Sequence, residues 1–397
     1  MPIEFSFTPD QEAFRAAVRA FVEKEIAPVV PAMDEAEAFP AETVGRMRSE
    51  GYFGIPIPEE YGGLGLGKVG YCIFLEELGK VDASHGSIVG AHTSLGTTPL
   101  LYYGTEAQKR RWLVPAARGE KLLAFSLTEP GSGSDSGALR TVAEQHGDGF
   151  RLTGNKIYVT NGREADTVIL LAANDLKLGP NGGVTAFAVD TTLAGFSVGR
   201  CERKMGLHGT STAELILDHV EVGPDAVLGE VGKGFPIAMT ALDVGRVSLG
   251  AASLGGIEAA LAGALEFAKN RTQFGLPIVE HQAIQFKLAD MEMRAQALRY
   301  LVYHAAARQD RMGHDPARWG RLARQEKTRE AAVLKCLASE WASEVIDEAL
   351  QVHGGLGYIR GTPVERAYRD ARIAEIFEGT NEIQRLVIAR DLIARGP

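Results

Sequence analysis

The spacing of apolar residues changes twice along this 397-residue chain, and no other feature of the sequence constrains the fold as strongly. Residues 10–30 and 70–79 carry apolar side chains at helical spacing. From about residue 120 to residue 232 the apolar residues recur at every second position, in short stretches rich in β-branched residues. This pattern is typical of antiparallel sheets. From Phe235 onward the chain returns to long patterns rich in Ala, Leu, Glu and Arg, which predict packed helices.

The pattern therefore predicts an α+β protein in three parts. These are an N-terminal helical domain over residues 1–119, a middle antiparallel β domain over residues 120–232, and a C-terminal domain over residues 233–397 that resembles a four-helix bundle. The predicted strands span residues 151–160, 167–173, 184–190 and 213–222. The predicted helices of the third part span residues 235–268, 280–309, 321–352 and 380–394.

Composition argues against several classes of protein. The 42 Lys and Arg residues against 51 Asp and Glu give a net charge of −9, so no nucleic-acid partner is expected. The cysteines Cys72, Cys201 and Cys336 are too scattered for a disulfide framework or a zinc cluster, which favours a reducing, cytoplasmic setting. The nine histidines lack metal-ligand spacing, so no metal site is expected. We expect neither a signal peptide nor a membrane-spanning segment.

One glycine motif matches a dinucleotide-binding pattern by its letters alone. Gly65, Gly67 and Gly70 have the G-x-G-x-x-G spacing, which in a nucleotide site follows a β-strand and opens a helix. The residues before them, Tyr61-Gly62-Gly63, predict a turn and not a strand. The sequence therefore argues against such a site here.

Two stretches of the β part carry groups that suit a polar ring or a phosphate. Residues 125–135, Phe-Ser-Leu-Thr-Glu-Pro-Gly-Ser-Gly-Ser-Asp, end an apolar run with a turn fixed by Pro, two glycines and several hydroxyl groups. A Ser/Gly surface loop without function is the alternative. Residues 156–162, Lys-Ile-Tyr-Val-Thr-Asn-Gly, follow about one strand later. Their aromatic ring and hydroxyl groups would frame a flat heterocycle together with the first stretch.

A third stretch, residues 376–385, holds a candidate base. Glu378 follows an apolar pair and precedes Gly379, with Thr380 as the expected N-cap of the last helix. A solvated Glu at a helix entry is the commoner arrangement. A carboxylate between an aromatic residue and a tight glycine turn is also what a desolvated general base requires, because burial raises its pKa.

Together with further motifs, these stretches resemble the acyl-CoA dehydrogenase family. The resemblance covers essentially the whole chain, through the ordered motifs Glu59-Glu-Tyr-Gly-Gly-Leu-Gly65, Thr128-Glu-Pro-Gly-Ser-Gly-Ser-Asp135, Asn270-Arg-Thr-Gln-Phe-Gly275, His281-Gln282, Gln351-Val-His-Gly-Gly355 and Glu378-Gly-Thr380. Members of this family are flavoenzymes that oxidise an acyl thioester of coenzyme A to its trans-2-enoyl form. The resemblance implies FAD as the cofactor and the same helical, β, helical order.

The resemblance, carried over one residue at a time, implies three groups of site residues. Those expected to hold the flavin within one subunit are Phe125, Leu127, Thr128, Gly133, Ser134, Tyr158, Thr160, Thr380 and Glu382. Those expected to reach the FAD of a neighbouring subunit are Arg271, Gln273, Phe274, His281, Gln282, Gln351, Gly354 and Gly355. Their role implies an oligomer, which by the resemblance is expected to be a tetramer. Those expected to meet the acyl-CoA are Ser134, Asp243, Arg246 and Gly379.

The resemblance also assigns the chemistry. Glu378 is expected to take the α-proton of the thioester, while the β-hydrogen leaves as hydride to the flavin N5. Some relatives carry the base on another helix, at the position that matches Gly245, which has no side chain to act as one. Glutaryl-type relatives carry an Arg at the position of Gly86, so a short-chain or branched uncharged acyl-CoA is expected here.

Two positions depart from the pattern of the family. Tyr158 stands where a Trp is often found, so its ring is expected to cover the isoalloxazine over a smaller area. His208 stands where an Arg is usual, and the sequence offers no account of the effect.

Rival functions on the same scaffold are disfavoured. Acyl-CoA oxidases are usually much longer than this chain. DNA-associated flavoproteins of the alkylation-response type carry a basic C-terminal domain, whereas the net charge here is −9. An inactive acyl-CoA-binding homologue would not need Glu378 or the flavin motifs. An electron-transferring flavoprotein is therefore the expected electron acceptor.

Overall fold

The computed structural model describes residues 6–395. Its helices are α1 (Pro9–Phe21), α2 (Val30–Ala36), α3 (Ala41–Ser49), α4 (Gly67–Gly79), α5 (Ala83–Val89), α6 (Thr97–Tyr103), α7 (Glu106–Gln108), α8 (Val114–Ala117), α9 (Gly234–Asn270), α10 (Gln282–Met312), α11 (Arg321–His353), α12 (Pro363–Ala371) and α13 (Asn381–Arg395). Its strands are β1 (Leu123–Ser126), β2 (Val142–His146), β3 (Gly149–Thr160), β4 (Thr167–Ala173), β5 (Val184–Asp190), β6 (Phe196–Cys201), β7 (Thr212–Val222), β8 (Val227–Leu228), β9 (Thr272–Gln273) and β10 (Leu276–Pro277).

The C-terminal part is a helical bundle built around α9. This helix packs against α10 and α11 and also against α4 of the N-terminal part, while α13 packs on α11. A Cβ atom at Gly79 would overlap the carbonyl oxygen of Ala252, and one at Gly255 would overlap the carbonyl oxygen of Glu76. Helices α4 and α9 therefore cross in direct backbone contact, which only glycine permits at these two positions.

Helix α9 is long and largely apolar. Among residues 6–395 it is the one helix whose length and composition would suffice to cross a membrane, and half of its most apolar window is buried inside the protein. Such burial is what the central helix of a bundle requires.

The middle part is an eight-stranded sheet. Strands β6, β7, β3, β2, β4, β5 and β8 follow one another in this order, and β1 also pairs with β4. Most pairs of neighbouring strands are antiparallel, as predicted, but β1 and β2 both run parallel to β4. They lie one after the other along the same edge of β4, since the loop between them leaves the sheet and returns without reversing the chain direction.

The predicted elements agree with the structure to within a few residues. The strands expected at 167–173 and 184–190 coincide with β4 and β5, and all four long C-terminal helices are present. The pattern does not predict β1, β2, β6 and β8, which are short or lack regular alternation. The helical pattern of residues 10–30 also breaks early, because a π-helical turn over Val22–Ile26 follows α1 and Pro31 lies in the first turn of α2.

The three parts follow one another along the chain in the predicted order, helical, β and helical. The first strand described within residues 6–395 begins at Leu123, so no strand precedes Gly65, Gly67 and Gly70 as a dinucleotide site would need. We propose domain limits at 119/120 and 232/233, because these points fall between α8 and β1 and between β8 and α9.

Candidate active site

A cavity of about 1230 Å³ opens where the three parts of the fold meet. It is lined by side chains from α4, α5, β1, β3, α9, α12 and the turn before α13. The structure brings twelve of the predicted site residues together on its wall, namely Phe125, Leu127, Thr128, Gly133, Ser134, Tyr158, Thr160, Asp243, Arg246, Glu378, Gly379 and Thr380. These residues come from both the β part and the bundle.

A buried ion pair anchors the Ser/Gly loop on the sheet side of the cavity. Nζ of Lys156 lies 2.7 Å from Oε1 of Glu129, and both side chains are almost fully buried. Glu129 also accepts hydrogen bonds from the backbone N–H groups of Arg140 and Thr141, at 2.5 and 3.1 Å. Burial lowers the pKa of Lys156 to about 8, and the neighbouring carboxylate limits that fall. The loop is thus tied down at its base while its tip stays exposed.

The tip of the loop leaves room for a ligand. A Cβ atom built on Gly131 or Gly133 meets no heavy atom within 4 Å. Ser134 is exposed and lines the cavity. Open backbone with hydroxyl groups nearby suits the edge or phosphate of a flat cofactor, so these residues fit a flavin.

A bulge at the end of β3 turns Tyr158 out of the sheet. The pairing of β3 with β7 shifts register between Lys156 and Val159. Tyr158 has a φ of 58°, a left-handed conformation that costs a non-glycine residue about 1–3 kcal/mol. Its ring is 61% exposed and lines the cavity together with Thr160. Bulges often aim a side chain at a binding site in this way.

Glu378 lies on a strained turn at the other wall. Its φ is 55° and that of Gly379 is 89°, so two consecutive residues are left-handed. Nε of Arg246 and Nε2 of Gln384 donate hydrogen bonds to the carbonyl oxygen of Glu378, at 3.2 and 3.3 Å. The backbone N–H of Ile383 donates to Oγ1 of Thr380 at 3.4 Å, which confirms Thr380 as the cap of α13.

The carboxyl group of Glu378 is desolvated. Its Oε2 atom is buried and has no hydrogen-bond partner among residues 6–395. Burial raises the pKa of Glu378 to about 7, against the opposing effect of the cations Arg246 and Lys335. A carboxyl group with a pKa near neutral pH can accept a proton as a general base and release it again.

Asp243 and Arg246 form an ion pair beside the base. Nη1 of Arg246 lies 3.0 Å from Oδ1 of Asp243, and Thr328 donates to Oδ2 of Asp243 at 2.6 Å. Gln309 donates to the backbone carbonyl of Asp243 at 3.2 Å. Both carboxylate oxygens are therefore engaged within the protein, and the pair holds Arg246 against the turn that carries Glu378.

Three glycines define the space around the base and along the cavity wall. A Cβ atom built on Gly245 lies 2.5 Å from Oε2 of Glu378 and 2.8 Å from Cδ2 of Leu95, so position 245 faces the carboxylate directly. A Cβ atom on Gly86 meets only Cβ of Ala252, at 4.0 Å, and one on Gly90 meets nothing within 4 Å. The cavity wall is thus open at 86 and 90 and closed at 245.

A second group of predicted residues lies away from this cavity. None of its members lines the cavity wall, and they are Arg271, Gln273, Phe274, His281, Gln282, Gln351, Gly354, Gly355 and Glu382. Most follow the C-terminal end of α9, in the β9–β10 hairpin and the start of α10. Phe274 is 94% exposed and has a φ of 52°. An exposed aromatic tip is suited to contact something outside its own chain. The role of these residues toward a neighbouring subunit, and the flavin contact expected of Glu382, stay predictions.

The structure accounts for His208, which the sequence left unexplained. Its Nδ1 lies 3.0 Å from the carbonyl oxygen of Asp34, and its Nε2 lies 3.1 Å from that of Lys204. Arg369 of α12 holds the Asp34 carboxylate through two nitrogens, at 3.1 and 2.6 Å. His208 therefore joins the loop before β7 to α2 and α12, and does not line the cavity.

Sequence reasoning missed one buried cation near the base. Lys335 is fully buried on α11 and donates to Oδ1 of Asn381 at 2.6 Å. A lysine inside the apolar stretch 331–338 of a predicted helix is an unusual choice, and that contrast was the available signal. Within the described residues, no group of three or more His, Cys, Asp or Glu side chains is placed to hold a metal ion.

Comparison with known families matches all three parts of the chain. Residues 8–120 match the acyl-CoA dehydrogenase N-terminal domain, residues 124–220 the middle domain and residues 232–393 the C-terminal domain. An acyl-CoA dehydrogenase of Bacillus subtilis (strain 168) is 45% identical over 386 residues, which are 97% of this chain and 98% of that protein.

Solved structures agree with this assignment. Butyryl-CoA dehydrogenase from Megasphaera elsdenii is 41% identical with a TM-score of 0.93, and the alignment covers 98% of this chain and 100% of that one. A chain from a structure of the electron transferring flavoprotein of Acidaminococcus fermentans is 42% identical with a TM-score of 0.92, covering 98% and 99% of the two chains. The protein therefore belongs to the acyl-CoA dehydrogenase family of FAD-dependent oxidoreductases that act on CH–CH groups.

Proposed function

We propose that the protein converts a short-chain or branched acyl-CoA to the trans-2-enoyl-CoA, with Glu378 as the base. The observation that carries this proposal is the carboxyl group of Glu378. Its Oε2 atom is buried without a hydrogen-bond partner in the described chain, its pKa is raised to about 7, and Glu378 lines the same cavity as the residues predicted to bind the flavin. A base of this kind matches the weak acidity of the proton next to a thioester carbonyl.

The chain's own residues divide the work. Phe125, Thr128, Ser134, Tyr158 and Thr160 would hold and cover the flavin from the sheet side. Bound FAD supplies the acceptor for the hydride that leaves the β-carbon. The carboxylate of Glu378 would receive the α-proton, and the apolar cavity wall would exclude water from that transfer.

A visible absorption spectrum tests the proposal most directly. The purified holoenzyme would be mixed anaerobically with butyryl-, isobutyryl-, hexanoyl- and glutaryl-CoA in turn. Bleaching of the oxidised flavin band by the short uncharged substrates is expected. A protein whose flavin stays oxidised with every acyl-CoA would not be a dehydrogenase of this class of substrate.

Substrate charge gives a first quantitative prediction. Gly86 leaves open space and no cation where glutaryl-type relatives have an Arg, so the distal carboxylate of glutaryl-CoA would enter the cavity unpaired. We expect kcat/KM for glutaryl-CoA to be at least about tenfold below that for butyryl-CoA, measured with an artificial electron acceptor. Equal values for the two substrates would refute both the role of Gly86 and the short-chain assignment.

We also propose that FAD is shared between subunits of an oligomer, by the family pattern a tetramer. The supporting observation is the exposed group at the end of α9, in which Arg271, Gln273 and Phe274 point away from the cavity of their own chain. An Arg against a pyrophosphate is a charge-assisted contact that Ala cannot replace.

The variant Arg271→Ala is therefore expected to lose FAD on gel filtration, seen as a lower ratio of flavin to protein absorbance. Arg294→Ala removes a half-buried arginine of α10 that pairs with Glu344 at 3.0 Å; it is the control and should keep its FAD. A monomeric Arg271→Ala protein with one FAD per chain would contradict sharing. We further propose an electron-transferring flavoprotein as the acceptor and the cytoplasm as the location.

A further inference from the structure

Lys335 is a buried cation whose hydrogen-bond partner is neutral, and the carboxyl groups of Glu378 and Glu375 act on it only from beyond ion-pair distance. Its side chain is 0% exposed, and its ammonium group donates to the neutral side chain of Asn381 at 2.6 Å. Among residues 6–395 no carboxylate lies within ion-pair distance of this ammonium. Burying a charge in this way costs free energy unless something offsets it, so such lysines are uncommon in structures.

The partner of Lys335 is the residue that begins α13. Oδ1 of Asn381 also accepts from Ser339 at 3.2 Å, and its Nδ2 donates to Ser339 at 2.9 Å and to Glu340 at 3.1 Å. Three residues of α11, Lys335, Ser339 and Glu340, therefore form hydrogen bonds with the side chain of Asn381. Asn381 is separated from Glu378 by only two residues, so this grip fixes one end of the turn that carries the base.

The other end of the same turn is held by Arg246 of α9, which donates to the carbonyl oxygen of Glu378 at 3.2 Å. Left-handed backbone at Glu378 and Gly379 persists only where the surroundings enforce it. The turn is thus held from two helices, directly by Arg246 of α9 and through Asn381 by Lys335 of α11, and both of these residues are cations.

Few charged or titratable groups face the carboxyl group of Glu378. They are Arg246 on α9, Lys335 on α11 and the hydroxyl group of Tyr71 on α4. The ammonium of Lys335 is the one of the two cations without a paired carboxylate, since Arg246 is bound to Asp243 at 3.0 Å. An unpaired buried charge acts over a longer distance than a paired one.

We propose that Lys335 is a positioning residue for the base: through Asn381 it fixes the turn of Glu378, and its uncompensated charge favours the carboxylate form of Glu378. This inference rests on the proposed role of Glu378. Burial lowers the pKa of Lys335 to about 8, which is still above the value of about 7 for Glu378. The ammonium of Lys335 lowers the pKa of Glu378 and the carboxylate of Glu378 raises that of Lys335, so each group favours the charged form of the other.

The test is the pH dependence of anaerobic flavin reduction by saturating butyryl-CoA in the FAD-loaded enzyme. In the wild type the rate should fall as the pH drops below about 7, because only the carboxylate form accepts the α-proton. The variant Lys335→Gln keeps a hydrogen-bond donor for Asn381 and removes the charge. We expect its profile to move about one unit to higher pH, so that the rate at pH 6 falls about tenfold while the plateau at high pH changes little.

Two further variants separate charge from structure. Lys335→Arg keeps the charge and should restore the profile of the wild type. Lys327→Met removes a second buried lysine two turns earlier on α11, 4% exposed and 4.6 Å from the ring of Trp319, and should leave the profile where it is in the wild type. A Lys335→Gln profile that superimposes on the wild type, or an equal shift in Lys327→Met, would overturn the proposal.

A second measurement does not depend on turnover. Infrared difference spectra between Lys335→Gln and the double variant Lys335→Gln/Glu378→Gln isolate the protonated carboxyl band of Glu378, which should persist to higher pH than in the Lys335 background. If Lys335→Gln fails to fold, Asn381→Asp is the alternative, because it pairs the ammonium of Lys335 with an anion. The protonated carboxyl band of Glu378 should then also persist to higher pH. Full activity in Glu378→Gln alone would instead refute the proposed role of Glu378 as the base. The infrared spectra would then still decide whether Lys335 shifts the titration of Glu378.

Discussion

Replacing Glu378 by Gln is expected to slow anaerobic flavin reduction by a short acyl-CoA about 10⁴-fold, at the upper end of what loss of a general base usually costs. The amide of Gln is similar in size to the carboxyl group but cannot accept the α-proton. Oε2 of Glu378 is buried and has no hydrogen-bond partner in the described part of the chain, so the amide of Gln would break no hydrogen bond at that atom. Stopped-flow absorbance of the oxidised flavin band measures the rate.

The matched control for this variant is Glu375→Gln. Glu375 lies three residues earlier, accepts a hydrogen bond from Ser343 at 2.6 Å and does not line the cavity. It should reduce its flavin at close to the wild-type rate, and both variants should retain FAD. Reduction of Glu378→Gln at the wild-type rate would mean that another group takes the proton.

The second large effect is expected from a single methyl group. In Gly245→Ala the new Cβ would lie 2.5 Å from Oε2 of Glu378, which forces the carboxyl group aside. Because the displaced atoms are the ends of flexible side chains, the fold should tolerate the change. A displacement of about 1 Å at the reacting atom costs about 10²-fold in rate. We therefore expect kcat to fall by about that factor while Tm stays close to the wild type.

Gly250→Ala on the same helix is the control for Gly245→Ala. Its new Cβ would press at 3.1 Å on the side chain of Leu334, away from the base. Thermal unfolding followed by circular dichroism gives Tm for both variants, and the flavin assay gives kcat. Equal losses of kcat in the two variants would show that crowding of α9, and not displacement of Glu378, lowers the rate.

The sequence predicts much of the fold because helical and strand periodicity are local properties. The long helices α9, α10 and α11 and the strands β4 and β5 follow directly from it. The parallel pairing of β1 and β2 with β4 depends on how a long loop returns to the sheet, and nothing local encodes that path. The π-helical turn after α1 is likewise not predicted, because the helical spacing of apolar residues continues before and after it in the sequence.

Part of the candidate site is also legible in the sequence. Thr380 as a cap and Glu378 beside a glycine turn are local features, and the resemblance to a family supplied the flavin-binding positions. The contact of Arg246 with the carbonyl of Glu378 spans 132 residues, and that of Lys335 with Asn381 spans 46. Such contacts follow from how helices pack, so the clamp on the base becomes visible only in three dimensions.

The backbone contact between α4 and α9 limits how this protein can change over generations. Because Gly79 and Gly255 allow the two helices to touch directly, the helices stand as close as they can, and their separation is not open to adjustment by small steps. The cavity wall beside this crossing carries Gly86, Gly90 and Ala252, which are already among the smallest residues. Nearly every substitution there adds volume. Descendants of this sequence can therefore become more selective at these positions by single mutations, whereas a more permissive cavity would require rebuilding another wall.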